Sequence, residues 1–236
     1  MMSLASTLGR FEAPRNTPEQ EAAAAAWKEG QRRLKVEERL ARSGVPSRYR
    51  SASLDGCDRR IADWAASPSD VLLLRGDVGR GKTHAACAVL IANAAERTVL
   101  FATSLDLLRD FRSVFDGAAR EADVMGRYRN VGLLAVDDLG KERPTDWALS
   151  KLFDVLDARI RTGKPTIVTT QYNSIDLTSR MASDGNVETA KAIVSRLGDR
   201  RNAVVAFDGP DRRLPTGRSS EPSRHPHAGR ARGQRR

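Results

Sequence analysis

The residues best suited to chemistry stand between Val71 and Thr83. An apolar run, Val71 to Leu74, is followed by the pattern Gly76-x-x-x-x-Gly81-Lys82-Thr83. A short apolar run bounded by a glycine-rich turn predicts a buried strand. Glycine lets the backbone turn tightly and approach a polyphosphate without a Cβ in the way. A chance glycine-rich turn is the alternative, but strand, loop and helix follow in the order that a phosphate-binding loop needs.

Each part of this phosphate loop, Gly76 to Thr83, is predicted to have its own role. Backbone N–H groups from Val78 onward can converge on phosphate oxygens, and Lys82 adds a cation for the β- and γ-phosphates of ATP. The Thr83 hydroxyl is placed for Mg²⁺, and the alanine-rich stretch that follows favours a helix whose N-terminus is itself an anion site. The nucleotide-binding residues that we predict are Gly76, Asp77, Val78, Gly79, Arg80, Gly81, Lys82, Thr83 and His84.

A second chemical feature is the acid pair Asp137-Asp138, which follows the apolar run 131–136. Asp137 is predicted to hold Mg²⁺ directly or through water, since Mg²⁺ keeps several waters in proteins. Asp138 is predicted to orient or polarise the attacking water, and the alternative is a helix cap or turn residue. Two like charges at a buried strand end are costly without a metal or a basic neighbour, which favours Mg²⁺ as part of the site.

Alternating apolar and amphipathic segments surround these residues. Further strands are predicted over 98–102, 166–170 and 203–207, and helices over about 18–42, 57–66, 83–96, 145–161, 175–181 and 187–197. Ser104 is predicted to cap another helix, and a polar, arginine-bearing segment runs from Asp116 to Asn130. This alternation predicts an α/β domain with a mostly parallel sheet flanked by helices. Its ligand should bind at the carboxyl ends of the strands.

The chain has 236 residues, enough for one sizeable α/β domain with small extensions. No apolar run approaches the roughly 20 residues that cross a bilayer, and the first residues lack the apolar core of a signal peptide. The two cysteines, Cys57 and Cys87, have no metal-binding spacing. These features predict a cytoplasmic protein without a membrane partner.

The net charge of +10 is concentrated at the ends of the chain. Residues 1–50 carry 10 basic and 6 acidic side chains, residues 211–236 carry 8 and 2, and the middle carries 22 of each. Basic ends are typical of proteins with a polyanion partner such as nucleic acid. A solubilising tail without a specific partner is the alternative.

The same patterns divide the chain into four parts. Residues 1–17 are predicted to be disordered, 18–44 to form a helical extension, 45–210 to form the ATPase domain, and 211–236 to be a basic disordered tail. The extension carries Trp27, Leu34 and Ala41 at intervals of seven, with Val36 and Leu40 beside them. This apolar stripe either packs on the main domain or docks on a partner protein.

Several motifs in order resemble the AAA+ helicase loaders of the DnaC type and their relatives, the IstB-type transposition helper ATPases. The resemblance covers about residues 45–208. The motifs are the phosphate loop, the lead-in Val45-Pro46-Ser47-Arg48-Tyr49-Arg50, the stretch Leu133-Leu-Ala-Val-Asp137-Asp138-Leu-Gly140, the helix with Trp147, Lys151 and Arg159, and Gly163-Lys-Pro-Thr-Ile-Val-Thr-Thr170.

The resemblance implies further site residues. Gly76 to Thr83 matches the Walker A motif and Asp137-Asp138 the Walker B motif of that family. Gln171 stands where the family has a polar sensor, usually Asn, and Thr170 is the fallback. Arg196 matches the arginine finger, which reaches the nucleotide of a neighbouring subunit; a surface salt bridge is the alternative.

The resemblance also implies partners. It implies ATP-dependent self-assembly and a hexameric replicative helicase held by the N-terminal extension. It also implies that single-stranded DNA is bound by the chain segment that connects the second strand to the third. The residues there that suit DNA are Arg109, Arg112, Arg120, Arg127, Tyr128 and Arg129, because arginines can follow phosphates and an aromatic ring can stack on a base. A solvated helix face is the alternative for several of them.

The expected function is therefore an ATP-dependent helicase loader with slow, Mg²⁺-dependent, DNA-stimulated ATP hydrolysis. A transposition helper acting on duplex DNA is the second hypothesis. A non-catalytic nucleic-acid adaptor, in which nucleotide is structural, is the third. Recombinase-type ATPases are disfavoured because the helix after Lys82 has no acid before Glu96.

Overall fold

A computed structural model describes residues 17–184, 186–209 and 211 of the chain. Helices and strands alternate within these residues, with short 3-10 turns at Ser47–Tyr49 and Ala182–Asp184. In chain order the elements are α1 (Pro18–Ala41), α2 (Arg59–Ala66), β1 (Val71–Arg75), α3 (Lys82–Asn93), β2 (Val99–Thr103), α4 (Ser104–Arg112), α5 (Glu121–Asn130), β3 (Leu133–Leu139), α6 (Asp146–Arg161), β4 (Thr166–Thr170), α7 (Ser174–Met181), α8 (Val187–Leu197) and β5 (Ala203–Ala206).

The five strands form one parallel sheet in the order β2-β3-β4-β1-β5. Strand β1 lies between β4 and β5, so Leu73 is paired with Val168 on one side and Val204 on the other. Helices cover both faces, which explains why β1 reads as an unbroken apolar run rather than an alternating one. The predicted parallel α/β architecture is confirmed.

Alternate residues of each strand enter different cores. Val71 and Leu73 of β1 pack with α4 to α8 on one face, whereas Leu72 and Leu74 pack with α2 and α3 on the other. A phosphate loop that follows β1 is therefore attached to a strand that is buried on both faces. This fixes the loop at the carboxyl edge of the sheet.

Three local predictions differ from the structure. The cap of α4 is Thr103, not Ser104, and its hydroxyl accepts the N–H of Asp106 in a capping box. Segment 121–130 is helical although only Val124 and Tyr128 of it are buried, and so short an apolar face gives little periodic signal. Strand β3 continues through both acids to Leu139, with a register shift against β4 after Val136.

Helix α1 projects from the body of the protein. Its first turn is stabilised by the Thr17 cap, but the helix has no buried residue. Only its last part is attached: Val36 and Leu40 pack on the core, and an amino group of Arg39 donates to the Ala94 carbonyl at 2.7 Å. The predicted stripe is thus divided: Val36 and Leu40 are packed, whereas Trp27, Leu34 and Ala41 are exposed.

The ends of the chain bear on two further predictions. The predicted disorder of residues 1–17 and 211–236 concerns segments that, apart from Thr17 and Asp211, lie outside the described residues. Among the described helices, none combines the length and apolar character needed to cross a membrane.

Candidate nucleotide-binding site

The phosphate loop connects β1 to α3, as its sequence predicts. Gly81 caps α3 with φ +97°, a conformation that side-chain-bearing residues rarely adopt. Gly76 has φ +138°, and a Cβ there would stand 2.4 Å from the carbonyl oxygen of Phe207. These glycines let the loop wrap tightly between β5 and the start of α3, so that backbone N–H groups are available to an anion.

Lys82 is held inside the loop. Its Nζ donates to the carbonyl oxygens of Gly76 at 2.6 Å and Asp77 at 2.8 Å, and only 6% of the residue is exposed. Burial lowers the pKa of this ammonium, while the carboxylates of Asp138 and Asp137 act in the opposite direction. A negatively charged phosphate group could replace the two neutral carbonyls as the hydrogen-bond partner of Lys82.

Asp137 connects the phosphate loop to two strands. The Thr83 hydroxyl donates to this carboxylate at 3.1 Å from both oxygens, and the Thr169 hydroxyl donates to Oδ1 at 2.5 Å. Asp137 is 3% exposed, and burial raises the pKa of its carboxyl group, with the charge of Asp138 adding to the effect. A cation beside Thr83 would favour the ionised form.

The oxygen ligands at this point fit Mg²⁺. A hydroxyl and a carboxylate, Thr83 and Asp137, are hard oxygen donors, and Mg²⁺ is usually held by one or two carboxylates together with substrate phosphates. A divalent cation beside the buried Asp137 carboxylate would also lower its pKa, which burial raises. These two residues are the ones that would hold the metal.

Asp138 has a backbone and a side chain fixed by different partners. Its φ is +61°, its N–H donates to the Thr169 hydroxyl at 2.9 Å, and its carboxylate accepts from Lys141 Nζ at 2.6 Å. Lys141 is the basic neighbour that a pair of adjacent acids needs. Neither this lysine nor Thr169 is predicted as a site residue from the sequence.

A cavity of about 380 Å³ opens beside the loop. It contains predicted residues of the phosphate loop, among them His84, and both acids, together with Arg48 and Tyr49, which are not predicted as site residues from the sequence. The Tyr49 ring meets the His84 ring edge-on at 6.4 Å, and the Arg48 guanidinium lies 4.7 Å above the Tyr49 ring. The lining residues are Pro46, Arg48, Tyr49, Val78, Gly79, Gly81, Lys82, Thr83, His84, Phe101, Thr103, Asp137, Asp138 and Lys141.

Three predicted nucleotide residues lie at the edge of this cavity rather than in its wall. Arg80 and Asp77 form an ion pair at 2.5 Å within the loop, and Gly76 packs against Phe207.

The predicted sensor, Gln171, is half-buried just after β4 and does not line the cavity. The fallback residue Thr170 is buried and donates its hydroxyl to the Leu139 carbonyl at 2.8 Å, so that hydroxyl already has a structural partner.

Arg196 lies away from the cavity of its own chain. Its Nε is 2.8 Å from Oδ1 of Asp157, and its guanidinium lies 4.5 Å above the Phe153 ring. The structure of a single chain thus shows the intramolecular ion pair that the sequence analysis left open as the alternative. It does not bring Arg196 together with the phosphate loop of the same chain.

The predicted DNA-contact residues are dispersed over α4 and α5. Arg109 is paired with Asp106 at 2.6 Å, Arg127 with Asp110 at 2.8 Å, and Arg120 with Asp123 at 2.8 Å. These ion pairs are exposed, and such pairs are weak enough to exchange partners. Arg112 and Arg129 complete the predicted set, and Arg129 is exposed.

Tyr128 does not fit its predicted role. It is 1% exposed, and its hydroxyl donates to Oδ2 of Asp110 at 2.7 Å. Burial raises the pKa of this phenol, and the hydrogen bond to Asp110 contributes. The ring is part of the core beside Phe111, so the expectation that it stacks on a base is wrong in this structure.

A different aromatic pair is accessible close by. Phe115, just after α4, is 73% exposed, and its ring centroid is 5.8 Å from that of Trp147 on α6. The Arg112 guanidinium lies 5.5 Å from the Trp147 ring centroid. This aromatic pair, Phe115 and Trp147, presents open ring surface and a cation, a combination suited to unpaired bases.

Known proteins resemble this chain in sequence. Residues 48–220 match the family model described as IstB-like ATP binding protein. The phage-like element PBSX protein XkdC of Bacillus subtilis (strain 168) is 30% identical over 135 residues, covering 53% of this chain and 46% of the relative. The chain therefore spans less than half of the length of this curated relative.

Solved structures share the fold. The DnaC helicase loader has a TM-score of 0.58 and 23% identity, covering 69% of this chain and 100% of that chain. The replication initiator DnaA bound to AMPPCP and single-stranded DNA has a TM-score of 0.54 and 16% identity, covering 64% of this chain and 45% of that chain. The predicted fold, a parallel sheet flanked by helices as in these structures, is confirmed.

Proposed function

The chain belongs to the IstB-like ATP-binding protein family, and we propose that it is a Mg²⁺-dependent ATPase that loads a replicative helicase onto single-stranded DNA. The observation that carries the ATPase part is the Thr83 hydroxyl at 3.1 Å from a buried carboxylate, Asp137, beside a buried lysine. That arrangement joins the two halves of a Mg²⁺-nucleotide site at one edge of the sheet.

Binding of ATP uses the loop, Lys82 and the lead-in. The loop N–H groups take the phosphate oxygens, and Lys82 exchanges two carbonyl partners for the β- and γ-phosphates. Thr83 and Asp137 would hold Mg²⁺, which would supply charge stabilisation at the phosphates. The rings of Tyr49 and His84, which line the same cavity, offer flat apolar surface to the base.

Hydrolysis uses Asp138 as the residue that orients water. Its carboxylate lines the cavity and accepts the proton of the attacking water as a general base. The Nζ of Lys141 donates to that carboxylate at 2.6 Å and holds it beside the loop. We assign the sensor of the γ-phosphate to Gln171, which follows β4.

The active assembly contains several copies of the chain. Arg196 of one copy leaves Asp157 and reaches the nucleotide of the next copy, where its charge stabilises the transition state. ATP thereby joins two subunits, and hydrolysis weakens the joint. ATP hydrolysis at this site therefore controls the assembly of subunits, and it does not serve to make a metabolic product.

Single-stranded DNA binds at α4 and α5 of this assembly. The aromatic pair Phe115 and Trp147 stacks on bases, and Arg109, Arg112, Arg127 and Arg129 follow phosphates. Stacking is tolerant of sequence because every base has a π-face, which suits a loader that acts at many sites. In this contact Phe115 and the partly buried Trp147 take the stacking role that the sequence prediction gave to Tyr128.

The helicase binds at α1. Trp27 and Leu34 are 66% and 61% exposed on a helix that has no buried residue. Exposed large apolar side chains on one helix favour docking in a groove of a partner protein. The anchored C-terminal part of α1 would connect the docked partner to the ATPase domain.

A transposition helper is the second candidate, and the IstB-like description of the matched family favours it. In that role the assembly binds duplex DNA and recruits a transposase. The two candidates share the ATP site and differ in the partner of α1 and in the form of DNA.

The decisive experiment is helicase loading on a closed circular single strand coated with single-strand-binding protein. The full chain with ATP should increase unwinding by the replicative helicase of the same cell, and the double variant Trp27→Ala/Leu34→Ala should abolish the increase without changing ATP turnover. Loading unaffected by the chain, together with co-purification of a transposase, would select the second candidate.

A further inference from the structure

Helix α1 carries a row of cations separate from its exposed apolar side chains. Lys28, Arg32, Lys35 and Arg39 recur at intervals of four, three and four residues. At 3.6 residues per turn these four positions fall within an arc of about 60° and extend over about 16 Å. Trp27 and Leu34 lie about 120° round the helix from the centre of this cationic row.

The cationic row faces a groove between α1 and the end of α3. Its lining residues are Lys28, Gln31, Arg32, Leu34, Lys35 and Glu38 of α1, together with Ala95, which follows α3. The next cation, Arg39, is fixed to the Ala94 carbonyl at 2.7 Å. The row is therefore continuous with the body of the protein, and its position relative to the ATPase domain is set by that contact.

Acidic neighbours on α1 are engaged elsewhere. Glu29 pairs with Arg33 at 3.3 Å, and Glu38, which also lines the groove, pairs with Arg42 at 3.2 Å. Within the described part of the chain, Lys28, Arg32 and Lys35 have neither an ion pair nor a side-chain hydrogen bond.

This arrangement differs from that of an ordinary solvated helix face. Glu29–Arg33 and Glu38–Arg42 show that α1 elsewhere places opposite charges four residues apart, the spacing that stabilises a helix. Along the cationic row each cation has another cation three or four residues away, which destabilises a helix, and the two acids at such spacing, Glu29 and Glu38, pair with Arg33 and Arg42 instead. A polyanion in the groove would remove that repulsion and release counterions.

We propose that the groove beside α1 binds the phosphodiester backbone of DNA through Lys28, Arg32 and Lys35, independently of nucleotide. The row matches a backbone ligand because lysine and arginine contact phosphates without reading bases, and no aromatic side chain lines the groove. The site is distinct from the aromatic pair Phe115 and Trp147, and it borders the exposed apolar side chains of α1 at Leu34.

The test compares two charge-matched variants of the full chain. Lys28→Gln/Arg32→Gln/Lys35→Gln removes the cationic row, whereas Arg33→Gln/Arg59→Gln/Arg201→Gln removes three exposed arginines that pair with Glu29, Asp63 and Asp199. Binding of a labelled single strand and a labelled duplex is measured by fluorescence anisotropy over a range of salt concentrations, without nucleotide.

The row variant should reduce the slope of log K against log salt by about 2 on a single strand or about 3 on a duplex, according to which form occupies the groove. At about 0.1 M salt a loss of 2 in the slope corresponds to about a 100-fold weaker affinity. The control variant should keep the slope of the unmodified protein. Equal slopes for both variants on both DNAs would overturn the proposal.

A second measurement does not depend on any variant. DNA should slow acetylation of Lys28 and Lys35, read by mass spectrometry, but not of Lys164, whose Nζ contacts Asn130. Equal protection by polyglutamate at the same charge concentration would assign the groove to an acidic protein and contradict the DNA assignment. Repeating the assay with Lys82→Ala separates this site from the proposed ATP switch, because protection should persist there.

Discussion

The Nε of Arg196 lies 2.8 Å from Oδ1 of Asp157, and the Nε of Arg161 lies 2.8 Å from Oδ2 of the same carboxylate. The candidate finger is therefore held on α6 of its own chain, over the Phe153 ring. Its release would be part of assembly. Because two arginines share one carboxylate, the structure provides a matched control for the role of either.

Arg196→Ala should lower ATP turnover of the assembled protein by about 10³-fold or more while ATP binding is retained. Arg161→Ala should leave turnover nearly unchanged, since this exposed side chain loses only the same kind of ion pair. Turnover is measured over a range of protein concentrations. Mixing Arg196→Ala with Lys82→Ala should restore part of the activity, and a mixture as inactive as its components would argue against a finger acting in trans.

Asp138→Asn should keep ATP binding and lower turnover by about 10²- to 10⁴-fold, the usual contribution of a general base. The amide has the same shape but cannot take a proton from water. Asp146→Asn, at the exposed first position of α6, serves as the control. Single-turnover kinetics with pre-bound ATP separate the chemical step from binding, and an unaltered rate would remove Asp138 from the mechanism.

Phe115→Ala and Trp147→Ala should each weaken binding of a labelled single strand, by about 1–3 kcal/mol per stacked base. Tyr128→Phe is the control, because its ring is buried and only the hydrogen bond to Asp110 is lost. The measurement is fluorescence anisotropy at fixed salt. If Tyr128→Phe had the larger effect on DNA affinity, the aromatic pair would not be the stacking site.

The sequence was sufficient to predict the sheet, the phosphate loop and the acid pair, because each depends on local signals. Buried parallel strands read as continuous apolar runs, and the glycines of the loop are required by its backbone conformation. Residues 121–130 gave no such signal, since only two of their side chains are buried. The burial of Tyr128 follows from tertiary packing against Phe111, which no local pattern contains.

Other site residues are joined only by the fold. Thr169 reaches Asp137 because β3 and β4 are neighbours. Tyr49 reaches His84 because the lead-in, Val45 to Arg50, passes beside the start of α3. The motif around Tyr49 was recognised as part of a resemblance, but its place in the cavity was not. The role of Lys141 could have been predicted from the sequence, because two adjacent acids require a cation nearby and Lys141 stands three residues after Asp138.

Arg159 tests the packing that holds α5. It is fully buried, and its guanidinium donates to the carbonyls of Tyr128, Val131 and Pro165 at 2.7 to 2.9 Å and to the Thr166 hydroxyl at 2.9 Å. Burial lowers its pKa to about 10, so it remains charged at neutral pH.

Arg159→Leu should destabilise the protein by about 3 kcal/mol or more, because several buried acceptors lose a charged donor at once. Arg161→Leu, whose side chain is 69% exposed, should change stability by about 0.5 kcal/mol or less. Urea unfolding followed by circular dichroism measures both. Equal midpoints would show that the buried network contributes little to stability.

The most direct test of the ATP switch is steady-state ATP hydrolysis by the purified chain, with and without single-stranded DNA, in Mg²⁺ or in excess chelator. The account predicts slow turnover that requires Mg²⁺, rises with DNA, and is lost in Lys82→Ala but kept in Lys164→Ala. Turnover that is unchanged in Lys82→Ala would contradict the site, and ATP binding without turnover under any condition would support the nucleic-acid adaptor instead.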